Sequence, residues 1–294
     1  KAIAGASAED MAALSRNAKE LGRTTAFTAS QVVELQTEFA KLGFSTGDIL
    51  NVTEATLALA AAAGTDLANA AMVAGNTLNG FGLDTTETGR VADVMAKSFA
   101  SSALDIDKFQ ESMKLVAPIA KVTKVSLEQS AAALSVLADR GVAGSLAGTQ
   151  LRKIMADLST KTGKNFQDSL EITANKLDAA TTTAEKLSIA KELVGDRAKG
   201  SLIALAENRD VLDELTIAYE NAGGAAQAMA EEKLNNLSGD VTKLSSAWSG
   251  FLLGLEDGTG ILNSLSRGAR QFFTATLNGL SYAGDVLSFT FVDL

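Results

Sequence analysis

Apolar residues recur at helical spacing along most of the chain, and polar residues mark where each helix should start and stop. The stretch from Ser126 to Leu158 shows this best. Ser126 followed three residues later by Gln129 predicts a capping box, in which each side chain satisfies an amide at the helix start. Leu127, Ala131, Leu134 and Leu137 then keep one apolar stripe. Gly141 supplies the left-handed residue that ends such a helix, and Val142 can fold back onto its last turn. A second helix is predicted from Ser145 to Leu158, with Leu151, Ile154, Met155 and Leu158 on its buried face. Gly144 and Gly148 lie one turn apart at its start, where absent side chains let the two helices of this hairpin pack closely.

The same device recurs. One spacing separates Thr28 from Gly43, Thr65 from Gly80, and Ser126 from Gly141, and an apolar residue follows each glycine. Partner helices are predicted between these units at Thr46 to Ala63, Asp84 to Ser101 and Ser145 to Leu158, with Asp84 and Glu87 as a further capping box. The pattern predicts stacked helical hairpins of irregular period. Before them, residues 1–22 look like the end of an incoming helix with Met11, Leu14, Ala18 and Leu21 as its stripe, closed by Gly22. Pro118 falls inside a predicted helix from Ile106 to Val122 and should kink or split it near Val116. From about Thr160 to Thr183 the pattern weakens into a polar connector with short helices, and helices resume at Ala184.

A different period governs the last long helix. Leu234, Leu237, Val241, Leu244, Trp248, Phe251 and Leu255 alternate spacings of three and four, which makes a heptad seam. Such a seam is expected to join identical helices of several copies in a parallel oligomer larger than a dimer; the alternative is a helix docked on its own domain. The expected organisation is therefore an incoming helix end (1–22), a helical-hairpin core (23–160), and a helical connector with a second helical segment (161–228). A heptad-like helix (229–257) and an apolar, glycine-punctuated tail (258–294) complete the chain. The fold class is all-α: stacked helical hairpins followed by a long amphipathic or heptad helix.

Composition sharpens this. The chain of 294 residues is 46% hydrophobic yet only 5% aromatic, with one proline. Its apolar content leans on alanine, the best helix former. It opens on Lys1, not methionine, and reads as a piece of a longer polypeptide. The net charge of −9 argues against direct nucleic-acid binding, which needs a basic face to displace counterions. It equally disfavours an anionic membrane surface. The uncharged run from Leu67 to Leu83 is the one feature that suits a membrane-active alternative, and Asn69, Asn76 and Asn79 weigh against it. The uncharged run between Arg270 and Asp285 is too short to span a bilayer.

Chemistry is sparse. With no histidine and no cysteine there is no imidazole base, no thiolate and no metal site built on either. Gly279-Leu280-Ser281-Tyr282-Ala283 lacks the final glycine of a nucleophile elbow, and Gly163-Lys164 lacks the rest of a phosphate loop. Glu87, Asp105, Asp107, Glu111 and Glu128 fall mostly at helix starts and on polar faces, where carboxylates favour the helix dipole. No catalytic residue, cofactor or metal ligand is expected, and the chain is not expected to be an enzyme.

The run DRGVAGSLAGTQLRKIM resembles the Gly-Ile-x-Gly-Ser-x-Ala-Gly-Thr-x-Leu-Arg signature of phage tail tape measure proteins. It matches at Gly141, Gly144, Ser145, Ala147, Gly148, Thr149, Leu151 and Arg152, with Val142 in place of isoleucine. The opening Leu-Gly-x-Thr-Thr-x-Phe-Ser/Thr pattern of the family is similar to Leu21, Gly22, Thr24, Thr25, Phe27 and Thr28. Weaker likenesses lie at Val116 to Ala120, with Ala117 for glycine, and at Val194, Gly195, Arg197, Ala198 and Leu202. The resemblance spans about residues 21–255. It implies a virion structural protein that is assembled in the bacterial host cytoplasm and lies in the lumen of a phage tail tube. There it sets tail length and is released so that DNA can pass. The implied partners are further copies of the chain in threefold or sixfold symmetry, tail tube and tail tip or baseplate proteins, and tail assembly chaperones. Contact with a host membrane during genome delivery is implied as well. No catalytic role attaches to the signature.

Overall fold

The structure is a computed structural model, and it describes residues 6–235. Thirteen α-helices and one 3-10 turn make up the described residues, with no strand among them. They run as α1 (Ala8–Thr24), α2 (Ala29–Lys41), α3 (Thr46–Ala63), α4 (Leu67–Phe81), the 3-10 turn Thr85–Glu87, α5 (Thr88–Ser101) and α6 (Ile106–Thr123). Then come α7 (Leu127–Asp139), α8 (Gly144–Thr162), α9 (Phe166–Asp178), α10 (Thr183–Val194), α11 (Lys199–Glu207), α12 (Arg209–Glu220) and α13 (Ala225–Leu234).

Local signals start most of these helices. Full capping boxes form at Ser7 with Asp10, Thr28 with Gln31, Ser45 with Asp48, Ser126 with Gln129, and Thr182 with Glu185. Two helices close as the spacing predicts. After α2, Gly43 takes φ +88° and the Phe44 amide donates to the Phe39 carbonyl at 3.1 Å. After α7, Gly141 takes φ +80° and the Val142 amide donates to Leu137 at 2.9 Å. In both, a left-handed residue lets the chain reverse and satisfy the last carbonyls.

Other punctuation behaves differently. The cap of α4 is Asp66, whose carboxylate accepts from the Asn69 amide at 2.8 Å, and the left-handed residue after it is Gly82. Gly80 lies within the helix, so the second unit is out of step with the other two. Gly22 likewise lies inside α1 instead of closing it, and is buried. A Cβ at Gly22 would meet the Ala29 Cα at 2.7 Å, so this glycine serves the approach of α2. Asp84 caps alone, accepting from the Thr86 amide at 2.9 Å, while Glu87 turns to Arg90 at 2.6 Å. Pro118 does not split α6. It sits on the exposed face together with Lys114, whose carbonyl loses its helical donor and can be solvated there. The polar stretch after Thr160 holds a full helix, α9, with Phe166, Leu170, Thr173, Ala174 and Leu177 buried.

The helices pack in three tiers. α2, α4, α6, α8 and α10 lie side by side in sequence order, and α3, α5 and α7 do the same against them. α1 closes the first edge on α2 and α3, and α9 turns the chain at the far edge. The chain then runs back over the second tier: α11 on α7, α12 on α7 and α5, α13 on α5 and α3. One apolar cluster runs from Leu14 to Ala230, so residues 23–160 and 161–228 share a core. Alanine dominates where tiers meet, as at Ala131, Ala132 and Ala133 of α7, all fully buried. Close-packed alanine faces leave little room for a larger side chain.

Candidate functional site

The Gly141–Arg152 signature builds the contact between α8 and α6. Val142 and Ala143 bring the chain out of the α7 turn, and Ala143 gives α8 no side-chain cap. The cap comes instead from α6, whose Glu111 carboxylate accepts from the Ser145 amide at 3.3 Å. A carboxylate placed there also favours the positive end of the helix dipole. One residue on, the buried Ser112 hydroxyl lies 2.8 Å from both the Lys108 and the Gly144 carbonyl oxygens. Gly144 itself takes φ +60°.

Gly148 sits where the two helices come closest. A Cβ there would lie 2.6 Å from the Ser112 carbonyl oxygen and 2.8 Å from its Cα. These are backbone atoms that cannot swing aside. The helix that needs Gly148 is α6, not the hairpin partner α7. Leu151 fills the core, while Ser145, Thr149 and Arg152 form an exposed strip at helical spacing, with exposed Leu146 beside it. Gly144, Gly148 and Leu151 thus face inward, while Gly141 is exposed at the turn and the polar Ser145, Thr149 and Arg152 face solvent. Glu111 and Ser112, which complete the contact, lie more than thirty positions upstream, and no local pattern ties them to Gly144.

A second feature is a groove of about 1190 Å³ where the returning chain meets the first edge. Its walls are the α1–α2 turn from Arg23 to Phe27, one face of α3 (Glu54, Leu57, Ala58, Ala61), and α13. Leu234 and Asn235, the last described residues, line it. Leu234 is half-buried there. It is the first residue of the heptad seam; Leu237, Val241, Leu244, Trp248, Phe251, Leu255 and the tail 258–294 lie outside the described residues.

The remaining polar groups fasten the third tier. Tyr219 is buried, and its hydroxyl lies 2.8 Å from Ser135 Oγ and 3.0 Å from Ser101 Oγ. Burial pushes the phenol above its ordinary value, opposed by hydrogen bonds with Ser101 and Ser135. Asp93 of α5 caps α13 across the molecule, accepting from the Gly224 and Ala226 amides at 2.9 Å each. Arg90 pairs with the buried Glu128, joining the starts of α5 and α7. Among the described residues no group of three acidic side chains could hold a metal ion. No single helix among them is long and apolar enough to cross a membrane; α3 and α4 qualify by length and composition only as a pair bent by 118°.

Comparison with known proteins gives one direction. The family described as phage-related minor tail protein matches residues 15–250. The chain is 32% identical over 268 residues to a tape measure protein of Pneumococcus phage Dp-1, covering 84% of this chain and 23% of that protein. It is 28% identical over 288 residues to a probable tape measure protein of Escherichia phage P2, covering 90% of this chain and 35% of that protein. It therefore spans between about a quarter and a third of the length of these relatives. No solved structure matches.

Proposed function

Since the chain belongs to the family of phage-related minor tail proteins, a structural component of the phage tail, we propose that it is the folded domain of a tape measure protein. In this reading the longer protein lies in the tail tube lumen, sets tail length during assembly, and leaves so that DNA can pass. The observation that carries the division of labour is the packing of α1 to α13 around one core. A ruler needs extended helix, which adds about 1.5 Å per residue. The longest helix among the described residues, α8, has 19 residues and spans only about 28 Å. A chain folded back into three tiers measures little length, so the ruler is the remainder of the longer protein and this domain is an anchor.

The proposed partners are tail tube and tail tip or baseplate proteins and the assembly chaperones. The outward strip of Ser145, Thr149 and Arg152 is the part of the signature open to such contacts. The membrane-active alternative would have to draw on α3 and α4, whose apolar residues Ile49, Leu57, Val73 and Leu78 are committed to the core.

Tail length measured by electron microscopy tests the anchor reading. In-frame deletions in the remainder of the longer protein should shorten tails in proportion, and deletion of α6 to α8 should leave no tails. Infectious particles whose tails are shortened in proportion to a deletion inside α6 to α8 would show that this domain is counted as ruler.

A further inference from the structure

The groove at the end of α13 has an apolar floor and a charged rim. Phe27, Leu57, Ala58, Ala61 and Leu234 make the floor, while Arg23, Glu54, Glu231 and Glu232 stand around it. At about 1190 Å³ it exceeds the usual size of a small-molecule pocket, roughly 300–1,000 Å³. Its walls, two helices and one turn, suit an amphipathic helix laid against them. Leu234 and Asn235 both line it, so the chain leaves α13 at the groove. Directly after Asn235 the sequence carries the apolar series Leu237, Val241, Leu244, Trp248, Phe251 and Leu255.

We propose that this groove is the docking site of the chain's own residues 236–257, with their apolar seam laid on Phe27, Ala58 and Ala61. Continuity selects this occupant. The segment is tethered at the groove, so its effective concentration there exceeds that of any free partner or second copy. Chemistry agrees, because one stripe of large apolar side chains meets an apolar floor in which Ala58 and Ala61 leave space for Leu237, Val241 and Leu244. The seam is then covered within one copy and does not bundle several copies. Docking of this kind is independent of the tape measure reading, because it concerns only how the chain packs on itself.

Trp248 is the only tryptophan in the chain, so its fluorescence reports the segment alone. The full 294-residue chain is measured at a dilution where sedimentation gives a single protomer. Docking predicts a blue-shifted emission protected from acrylamide and unchanged on further dilution. Ala58→Arg with Ala61→Arg, which fills the floor, should shift the emission to that of a water-exposed indole while circular dichroism stays helical. Leu237→Asp with Leu244→Asp should do the same without touching the described helices, and covers the case in which the groove variant does not fold. A water-exposed Trp248 in the parent chain would overturn the proposal. Protection that fades on dilution would overturn it in favour of association between copies. Protection that survives all four substitutions would place the segment elsewhere and overturn it too.

Discussion

The outward-running helices α2 to α8 and the returning helices α11 to α13 fold by different means. In the first group, starts and stops are mostly written within four residues of where they act. Thr28, Ser45 and Ser126 each cap their own helix, and Gly43 and Gly141 each end one. In the second group, α11, α12 and α13 have no side-chain cap of their own. Asp93 supplies the cap of α13 from over a hundred residues away. Tyr219 ties α12 to Ser101 and Ser135, and Arg140 donates to Asn208 at 2.6 Å at the α11–α12 junction. The stack can form from local instructions, and the return tier needs the stack already built. Helices of nine to twelve residues are too short to be stable alone in water, so packing on α3, α5 and α7 has to hold them.

The contrast can be broken most severely inside the stack. Gly148→Leu would force four side-chain carbons against the Ser112 backbone, and overpacking of this kind costs about 1–3 kcal/mol or more. For a domain of this size each kcal/mol moves the melting temperature by about 2–4 °C. Thermal unfolding by circular dichroism should show the loss across all helices. An unchanged melting temperature would mean that α6 and α8 do not approach as closely as the geometry requires.

A smaller and more local effect is expected in the return tier. Tyr219→Phe removes the hydroxyl that joins three elements and strands buried Ser135, at a cost of about 1–2 kcal/mol. Hydrogen exchange should accelerate in α12 and α13 while α6 and α8 keep their protection. Uniform acceleration in every helix would show that the two regions unfold as one unit and erase the distinction.

The smallest effect concerns a single cap and depends on pH. The Ser45 hydroxyl holds the Asp48 carboxyl below its ordinary value of 3.8, with Thr85 adding to it and burial opposing. A carboxylate whose folded pKa is depressed contributes stability that is present above its unfolded value and is lost as pH falls through the folded one. Ser45→Ala should therefore lower the melting temperature slightly at neutral pH, and the gap should narrow as pH drops below 3.8 to what the neutral cap on the Asp48 amide contributes. A gap that stays constant through that range would assign the loss to the neutral hydroxyl alone.

Much of the fold was legible because helix signals are local. A capping box needs two residues three apart, and an apolar stripe needs only the helical repeat, so α2, α3 and α7 are predicted within a residue or so of where they lie. The signature glycines were legible as sites of close approach, but not as to what approaches. Gly22, Gly80 and Gly148 are each shaped by a neighbour that does not adjoin them in sequence as a stop signal would: the Ala29 backbone, the Ala117 side chain and the Ser112 backbone. Gly80 reads like a helix stop because nothing local tells a left-handed glycine from a packed one. The direction of the return was hidden as well. Nothing in residues 199–235 says that they fold back over α7, α5 and α3, because the partners that hold them, Asp93, Ser101 and Ser135, become a surface only after the stack has formed. An all-helical chain, and the start of most of its helices, could be read from residue order alone. Which faces meet was settled only in three dimensions, because that depends on the shape two distant segments make together.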